Sequence, residues 1–293
     1  MHRDDVLFKL LEFYGTRLHH RGQWWVHGHL RRLLHADIDA ECHVVRNGRR
    51  FVLNPGDFVQ HDFFWFGEQD AMEPRVLARL LTRGSVLFDV GANFGYYAIT
   101  LADALGHDCR VFAFEPFPST YRRLRRHIEL NALEDVIRAY QVALADEAGF
   151  ARMAMDNRNS GAAALSDSDG TERVEVSTLD NFCAEHAIDR LDLLKVDVEG
   201  CEERFLIGGA ATITRLSPLI FIELNPPVLA RAGSTVDRVV ARLREHGYEL
   251  FVAHRDRLEP LRQLPRGHYV NAFCFHPSRH STSTALLHSA AAQ

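Results

Sequence analysis

The chain has 293 residues, of which 46% are hydrophobic and 25% are charged, and its formal net charge is −5. This composition is typical of a globular protein, and the length suffices for one large domain with an appendage. The charge does not suggest the basic footprint of a nucleic-acid-binding domain, and no apolar run approaches the ~20 residues of a membrane helix. Five scattered cysteines without a Cys-x-x-Cys pair predict neither a zinc site nor a disulfide framework, so we expect a cytoplasmic protein.

Residues 1–56 predict an N-terminal extension that consists of a helical segment and a β-hairpin. Apolar residues recur at helical spacing from Val6 to Tyr14 and again from Trp24 to Leu34. The pair Asn47-Gly48 is the strongest short signal for a hairpin. The aromatic helical segment favours packing on the main domain or against a second copy of the chain, which would form a homo-oligomer. A role at a membrane surface is the alternative.

We expect the main domain to run from residue 57 to residue 277, with a disordered tail from 278 to 293. Four aromatic residues lie together between Asp57 and Glu68, where they either line a pocket mouth or form a buried connector. The spacing of Glu73 to Leu81 predicts an amphipathic helix that leads into the first core strand.

A glycine turn follows this first core strand. Val86 to Val90 is a short apolar run that predicts a buried strand, and a helical pattern begins after Gly91 and Gly95. Such a turn lets the backbone approach a ligand closely and aims helix N-terminal amides at it. The spacing Asp-x-Gly-x-x-x-Gly differs from the Gly-x-Gly-x-x-Gly of dinucleotide-binding proteins, because Asn93 takes the place of the middle glycine.

Acidic residues end the first two core strands. Asp89 would repel a pyrophosphate but suits a cationic or amino-bearing ligand, and S-adenosylmethionine (SAM) has both a sulfonium and an amino group. Roughly 20 residues further on, Glu115 follows the apolar run Val111 to Phe114, where an acid is well placed to accept from two ribose hydroxyls. These residues favour SAM binding over an α/β domain with an unspecific glycine turn.

The rest of the chain alternates between strand and helix patterns. The predicted elements are a helix over Thr120–Asn131, strands over Val136–Leu144, Gly149–Met155 and Glu172–Ser177 with a polar loop over Asp156–Gly170, a helix with Thr178 as its N-cap, a strand and its end over Leu191–Gly200, a helix over Glu202–Ile213, a strand over Pro218–Pro226, a helix over Val236–His246, and strands over Tyr248–Ala253 and Tyr269–His276. Asp197, Glu199 and Glu223 come at strand C-terminal ends, where a doubly wound sheet keeps its ligands.

Three pieces of the sequence together resemble the FkbM-type family of SAM-dependent methyltransferases: Phe88–Tyr96, Ser177–Asp180, and Leu193–Gly200 with Phe221–Glu223. The resemblance covers about Asp57 to Asn225. It implies an α/β, Rossmann-like class I methyltransferase fold with a seven-stranded, mostly parallel sheet and helices on both faces. It also implies SAM as the donor and O-methylation of a hydroxyl on a small molecule such as a sugar or natural product. The cofactor residues that it implies are Asp89, Gly91, Ala92, Asn93, Gly95, Glu115 and Asp197, the last of these near the methyl group.

Lys195, Asp197 and Glu223 are the candidate catalytic residues, since a hydroxyl acceptor gains from a base or a metal. Lys195 is the base if burial lowers its pKa, and otherwise it pairs with a neighbouring carboxylate. Asp197 and Glu223 either share a divalent metal or position the acceptor without one, and we favour the metal-free alternative.

Two other functions compete with methyl transfer. An NAD-dependent oxidoreductase would use a similar sheet, but Asp89 and the missing middle glycine disfavour it. A methyltransferase-like binding protein without activity is the second alternative, which the retained Asp89, Glu115 and Asp197 disfavour.

Overall fold

The structure is a computed structural model, and it describes residues 10–11, 13–16, 22–33, 40–67, 72–156, 159–166, 172–254 and 257–280. The chain divides into two compact units, residues 1–71 with 156–162 and residues 72–155 with 163–293. The domain boundaries after residues 56 and 277 stay predictions. Several parts of the predictions lie outside the described residues: residues 6–9 and 12 of the first helical stripe, residue 34 of the second, residues 157–158 and 167–170 of the polar loop, and residues 281–293 of the tail.

The N-terminal unit contains the predicted hairpin. Its elements are α1 (Gln23–Leu33), β1 (Cys42–Arg46), β2 (Arg49–Leu53) and α2 (Phe58–Phe66). β1 and β2 pair in antiparallel fashion around Asn47 and Gly48, and both turn residues have positive φ. This is the backbone that a two-residue type I′ turn requires. A homo-oligomer formed through this segment stays a prediction.

The aromatic run after the hairpin forms α2 and is mostly buried. Asp57 begins this helix, because its carboxylate accepts from the Gln60 N–H at 3.0 Å. Trp65 and Phe66 are buried, and the ring of His27 lies 4.8 Å from each of their ring centres. The run is therefore a buried connector, and His27 is a packed histidine.

The second unit is built on a large central sheet. The strands that follow residue 72 in the chain are β3 (Ser85–Val90), β4 (Cys109–Phe114), β5 (Ile137–Tyr140), β6 (Ala143–Leu144), β7 (Gly149–Asp156), β8 (Asn159–Ser166), β9 (Glu172–Ser177), β10 (Leu193–Val196), β11 (Leu219–Leu224), β12 (Glu249–His254), β13 (Arg257–Pro260) and β14 (Val270–Phe275). Within the described residues, the central sheet has eight strands in the order β13-β12-β14-β11-β10-β3-β4-β5. The five from β11 to β5 are parallel, and β14 is antiparallel to β11. The Rossmann-like α/β prediction is confirmed, with one strand more than the expected seven.

Helices pack along the sheet. They are α3 (Met72–Leu80), α4 (Tyr96–Ala104), α5 (Pro118–Leu130), α6 (Leu179–Glu185), α7 (Glu202–Gly208), α8 (Ala210–Leu216), α9 (Pro226–Arg231) and α10 (Val236–Glu245). Every residue of β3 and of β10 is buried, as in a parallel sheet that is covered on both faces. These two central strands end at the candidate site.

Four predicted elements differ in the structure. The predicted strand Val136–Leu144 divides into β5 and β6, which belong to different sheets; β6 joins a second sheet with the order β6-β9-β7-β8. The predicted loop Asp156–Gly170 contains β8, which pairs at the edge of this second sheet. The predicted helix Glu202–Ile213 is two helices, α7 and α8. The core strand over Leu191–Gly200 already ends at Val196, so Asp197 and Glu199 lie in a loop and not on one strand face.

Candidate active site

The glycine turn between β3 and α4 is held by the neighbouring strand ends. The N–H groups of Gly91 and Ala92 both donate to the Phe114 carbonyl, at 3.0 and 2.9 Å. Gly91 has a φ of 76°, and a Cβ atom there would lie 1.8 Å from the Asp197 carbonyl oxygen. Only glycine fits this place. The sequence analysis expected a ligand to lie close to this glycine, but in the structure the backbone of Asp197 lies there.

Asp89 and Gly95 fix the start of α4. Gly95 is the N-cap residue and has a φ of 91°. Asp89 is buried, and its Oδ2 accepts from the Ala98 N–H at 3.1 Å in the first turn of the helix. Its Oδ1 lies 3.1 Å from the Nζ of Lys195. Asp89 therefore has partners within the protein and orders the turn.

Glu115 faces the same turn from the end of β4. Its Oε2 accepts from the Asn93 N–H and its Oε1 from the Phe117 N–H, both at 3.0 Å. Burial raises the pKa of Glu115 to about 7, although the two hydrogen bonds act in the opposite direction. Each carboxylate oxygen has a further lone pair, so Glu115 can accept two more donors.

Asn93 supplies the polar atom that is suited to a ligand. Its backbone has a φ of 48°, in the left-handed region. Its Oδ1 is buried and has no hydrogen-bond partner among the described residues. A buried acceptor without a donor is costly, and a bound donor would remove that cost. Asn93 and Glu115 together fit a ligand with N–H and O–H donors, as SAM has.

Lys195 forms an ion pair, which is the second of the two predicted roles. It stands directly opposite Asp89 in the parallel pairing of β10 with β3. Burial lowers its pKa, but Asp89 and Asp197 outweigh this effect and the pKa is raised above 10.5. The amine is therefore protonated at neutral pH, and a base role for Lys195 is disfavoured.

Three carboxyl groups gather after β10 and at the end of β11. Burial raises the pKa of Glu199 to about 8 and that of Glu223 to about 7, and the charge of Asp197 adds to both shifts. Asn225 donates to the Oε2 of Glu223 at 3.3 Å, while the Asp197 side chain is 39% exposed. Carboxyl groups that titrate near neutrality can exchange protons with a substrate hydroxyl.

Glu202 is a residue of this region that the sequence analysis did not single out. Its Oε1 accepts from the N–H groups of Val198 and Gly200 at 3.3 and 3.2 Å, and so holds the loop after β10. Burial raises its pKa to about 7. The signal was present in the sequence, because an acid follows Gly200 in the first turn of a helix.

The described residues offer neither a metal cluster nor a better-placed cavity. In the described part of the chain, no group of three or more His, Cys, Asp and Glu side chains is arranged to hold a metal ion. A cavity of about 140 Å³ is lined by Ser85, Asp192 and Leu219, near the starts of the central strands. Ligands of open α/β sheets bind at the opposite, carboxyl ends.

The strand order and the glycine turn beside an acidic strand end define a class I α/β methyltransferase fold. Residues 89–250 match the family model of the methyltransferase FkbM domain. This match covers more than half of the chain, so the chain belongs to the FkbM methyltransferase family. None of the helices that the structure describes is long and apolar enough to cross a membrane.

Three curated proteins are similar to the chain. The AMB antimetabolite synthetase AmbE of Pseudomonas aeruginosa is 28% identical over 178 residues, which are 57% of this chain and only 8% of that protein. The 31-O-demethyl-FK506 methyltransferase FkbM of Streptomyces tacrolimicus is 30% identical over 210 residues, covering 61% of this chain and 77% of that enzyme. The 2-O-methyltransferase NoeI of Sinorhizobium fredii is 30% identical over 148 residues, covering 44% of this chain and 59% of that enzyme.

Proposed function

We propose that the chain uses SAM to methylate a hydroxyl of a small molecule, such as a sugar or a natural product. The observation that carries the proposal is the pair Asn93 and Glu115. The first is a buried acceptor with no hydrogen-bond partner in the described part of the chain, and the second is a neighbouring carboxylate with lone pairs to spare. Two relatives are O-methyltransferases by name, which supports oxygen as the methylated atom.

The residues of the turn divide into binding and shaping roles. Glu115 would accept from the ribose hydroxyls, and the Oδ1 of Asn93 would accept from another donor of the cofactor. Gly91, Ala92 and Gly95 give the turn its shape through the backbone. When bound, SAM would supply a methyl group on a sulfonium.

The carboxylates at the strand ends would orient the acceptor hydroxyl and accept its proton. When the hydroxyl oxygen takes the methyl group that SAM would supply, a carboxylate would accept the hydroxyl proton. We assign this proton to Glu223, because burial raises its pKa to about 7. The more exposed Asp197 would orient the hydroxyl. Alignment supplies much of the rate enhancement, and a base adds roughly 10²–10⁴-fold.

Calorimetric titration separates this proposal from its alternatives. We expect SAM and S-adenosylhomocysteine (SAH) to bind and NAD not to bind. Binding of NAD without SAM would instead indicate an oxidoreductase.

Methyl transfer is then measured with SAM labelled in its methyl group, on a panel of glycosides and polyketides and on extracts that contain unknown acceptors. Labelled product that forms in the presence of EDTA is the expected result. Turnover that EDTA abolishes and Mg²⁺ restores would assign Asp197 and Glu223 to a metal. SAM binding without labelling of any acceptor would favour the inactive binding protein.

A further inference from the structure

A buried lysine connects three parts of the site. Lys195 is 4% exposed, and its Nζ lies 2.9 Å from the Gly91 carbonyl oxygen, 3.1 Å from Asp89 Oδ1 and 3.5 Å from Asp197 Oδ2. The ring of Tyr97 lies 5.3 Å from the same nitrogen. An ammonium has three N–H donors and no lone pair. It donates a hydrogen bond to the Gly91 carbonyl and forms ion pairs with Asp89 and Asp197.

We infer that Lys195 is a positioning residue, which fixes the glycine turn and Asp197 for methyl transfer and does not accept the proton of the acceptor. The inference rests on the proposed function and specifies one part of it. A base needs a lone pair, and the two carboxylates beside Lys195 keep its amine protonated.

Asp89 connects Lys195 to the first turn of helix α4. One carboxylate oxygen faces Lys195, and the other accepts from the Ala98 N–H in the first turn of α4. The bond from Lys195 to the Gly91 carbonyl holds the other end of the same turn. Loss of the ammonium would therefore loosen the turn at both ends.

The ammonium also sets the protonation of the site. The charge of Lys195 interacts with Asp89 on β3, Glu115 after β4, Asp197 after β10 and Glu223 on β11, and the ring of Tyr97 on α4 lies beside it. The charge of Lys195 lowers the pKa of Glu115 and that of Glu223. Its removal should raise both, so SAM binding that depends on ionised Glu115 should need a higher pH.

The test measures SAM affinity by calorimetry from pH 6 to pH 9 in Lys195→Met, Lys195→Arg and Arg190→Met. Arg190→Met is the matched control, because it breaks an ion pair with Asp192 (2.8 Å) near the opposite end of β10. We expect Lys195→Met to weaken binding by about tenfold or more and to move the pH midpoint upward. Lys195→Arg keeps the charge, so its midpoint and its rate-versus-pH profile should follow the wild type.

Two results would overturn the inference. One is a Lys195→Met variant with unchanged affinity and midpoint. The other is a Lys195→Arg variant that binds SAM normally but loses roughly 10²-fold or more in turnover together with the wild-type pH dependence of the rate, since that is the behaviour of a missing base.

Hydrogen exchange keeps the inference testable if Lys195→Met fails to fold. Lys195→Met leaves Asp89 buried without its cation, which destabilises the native state. The double variant Lys195→Met with Asp89→Asn removes both charges. In this double variant without ligand, hydrogen exchange of the amides in residues 90–98 should be about tenfold faster than in the wild type. In Arg190→Met the exchange should be unchanged. Unchanged exchange in the double variant contradicts the inference. If the wild type binds no SAM, the proposed function fails, while the exchange rates still report on Lys195.

Discussion

Replacing Glu115 by glutamine would test the cofactor site directly. The carboxylate accepts from two backbone N–H groups at 3.0 Å and keeps lone pairs for the ribose hydroxyls. Glutamine keeps the shape but loses the charge, and its NH₂ group faces the N–H of Asn93 or of Phe117, which are donors themselves. A hydrogen bond to a charged group contributes about 1.5–3 kcal/mol. We therefore expect the affinity for SAM and for SAH to fall by roughly 10- to 150-fold.

The same carboxyl group predicts a pH dependence of binding. Its pKa is raised to about 7 by burial, and only the ionised form accepts with both oxygens, so SAM affinity should rise between about pH 6 and 8. Glu115→Gln should remove this rise in calorimetric titrations at constant ionic strength. Glu129→Gln is the control, because it removes an exposed carboxylate that pairs with Arg125 at 3.3 Å. A Glu115→Gln variant that binds SAM like the wild type at every pH would refute the reasoning.

Three further substitutions test other parts of the site. Gly91→Val should abolish SAM binding and also lower the thermal unfolding temperature, because its Cβ would lie 1.8 Å from the Asp197 carbonyl oxygen; an unchanged unfolding temperature would contradict this. Asp197→Asn should reduce turnover and keep SAM affinity within about tenfold, or about 1.4 kcal/mol. Full turnover on any acceptor would remove Asp197 from the mechanism. Glu202 has a folded-state pKa of about 7 against 4.5 for the free group, so it contributes stability at low pH that is lost as pH rises through 7. Glu202→Gln should flatten this loss in urea unfolding measured between pH 4.5 and pH 8, and an unchanged slope would show that other groups cause it.

The parts of the fold with local signals could be predicted from the sequence. Val86 to Val90 differs from β3 by one residue, and Glu172–Ser177 agrees with β9. β8 and β13 could not be predicted, because main-chain pairing holds them and their side chains carry no strand pattern. Pro260 ends β13 at the sheet edge, a place where proline is tolerated.

The roles of single residues depended on partners that are distant in sequence. The direction of the pKa shift of Lys195 follows from two carboxylates, and one of them, Asp89, is 106 positions earlier in the chain. Burial alone predicts the opposite shift. Likewise, Gly91 is needed because the backbone of Asp197 comes close, which no pattern around the glycine reveals.

The register of two parallel strands explains why these motifs occur together. Lys195 stands opposite Asp89, and two positions further along the chain, just beyond the ends of the two strands, the Asp197 backbone approaches Gly91. The contact between Lys195 and Asp89 is an ion pair. The contact between Gly91 and Asp197 is a backbone contact that leaves no room for a side chain at position 91. A strand slipped by one residue would lose the ion pair, because successive side chains point to opposite faces. Asp-x-Gly and Lys-x-Asp are therefore one structural unit, and a substitution in either motif changes the geometry of the other.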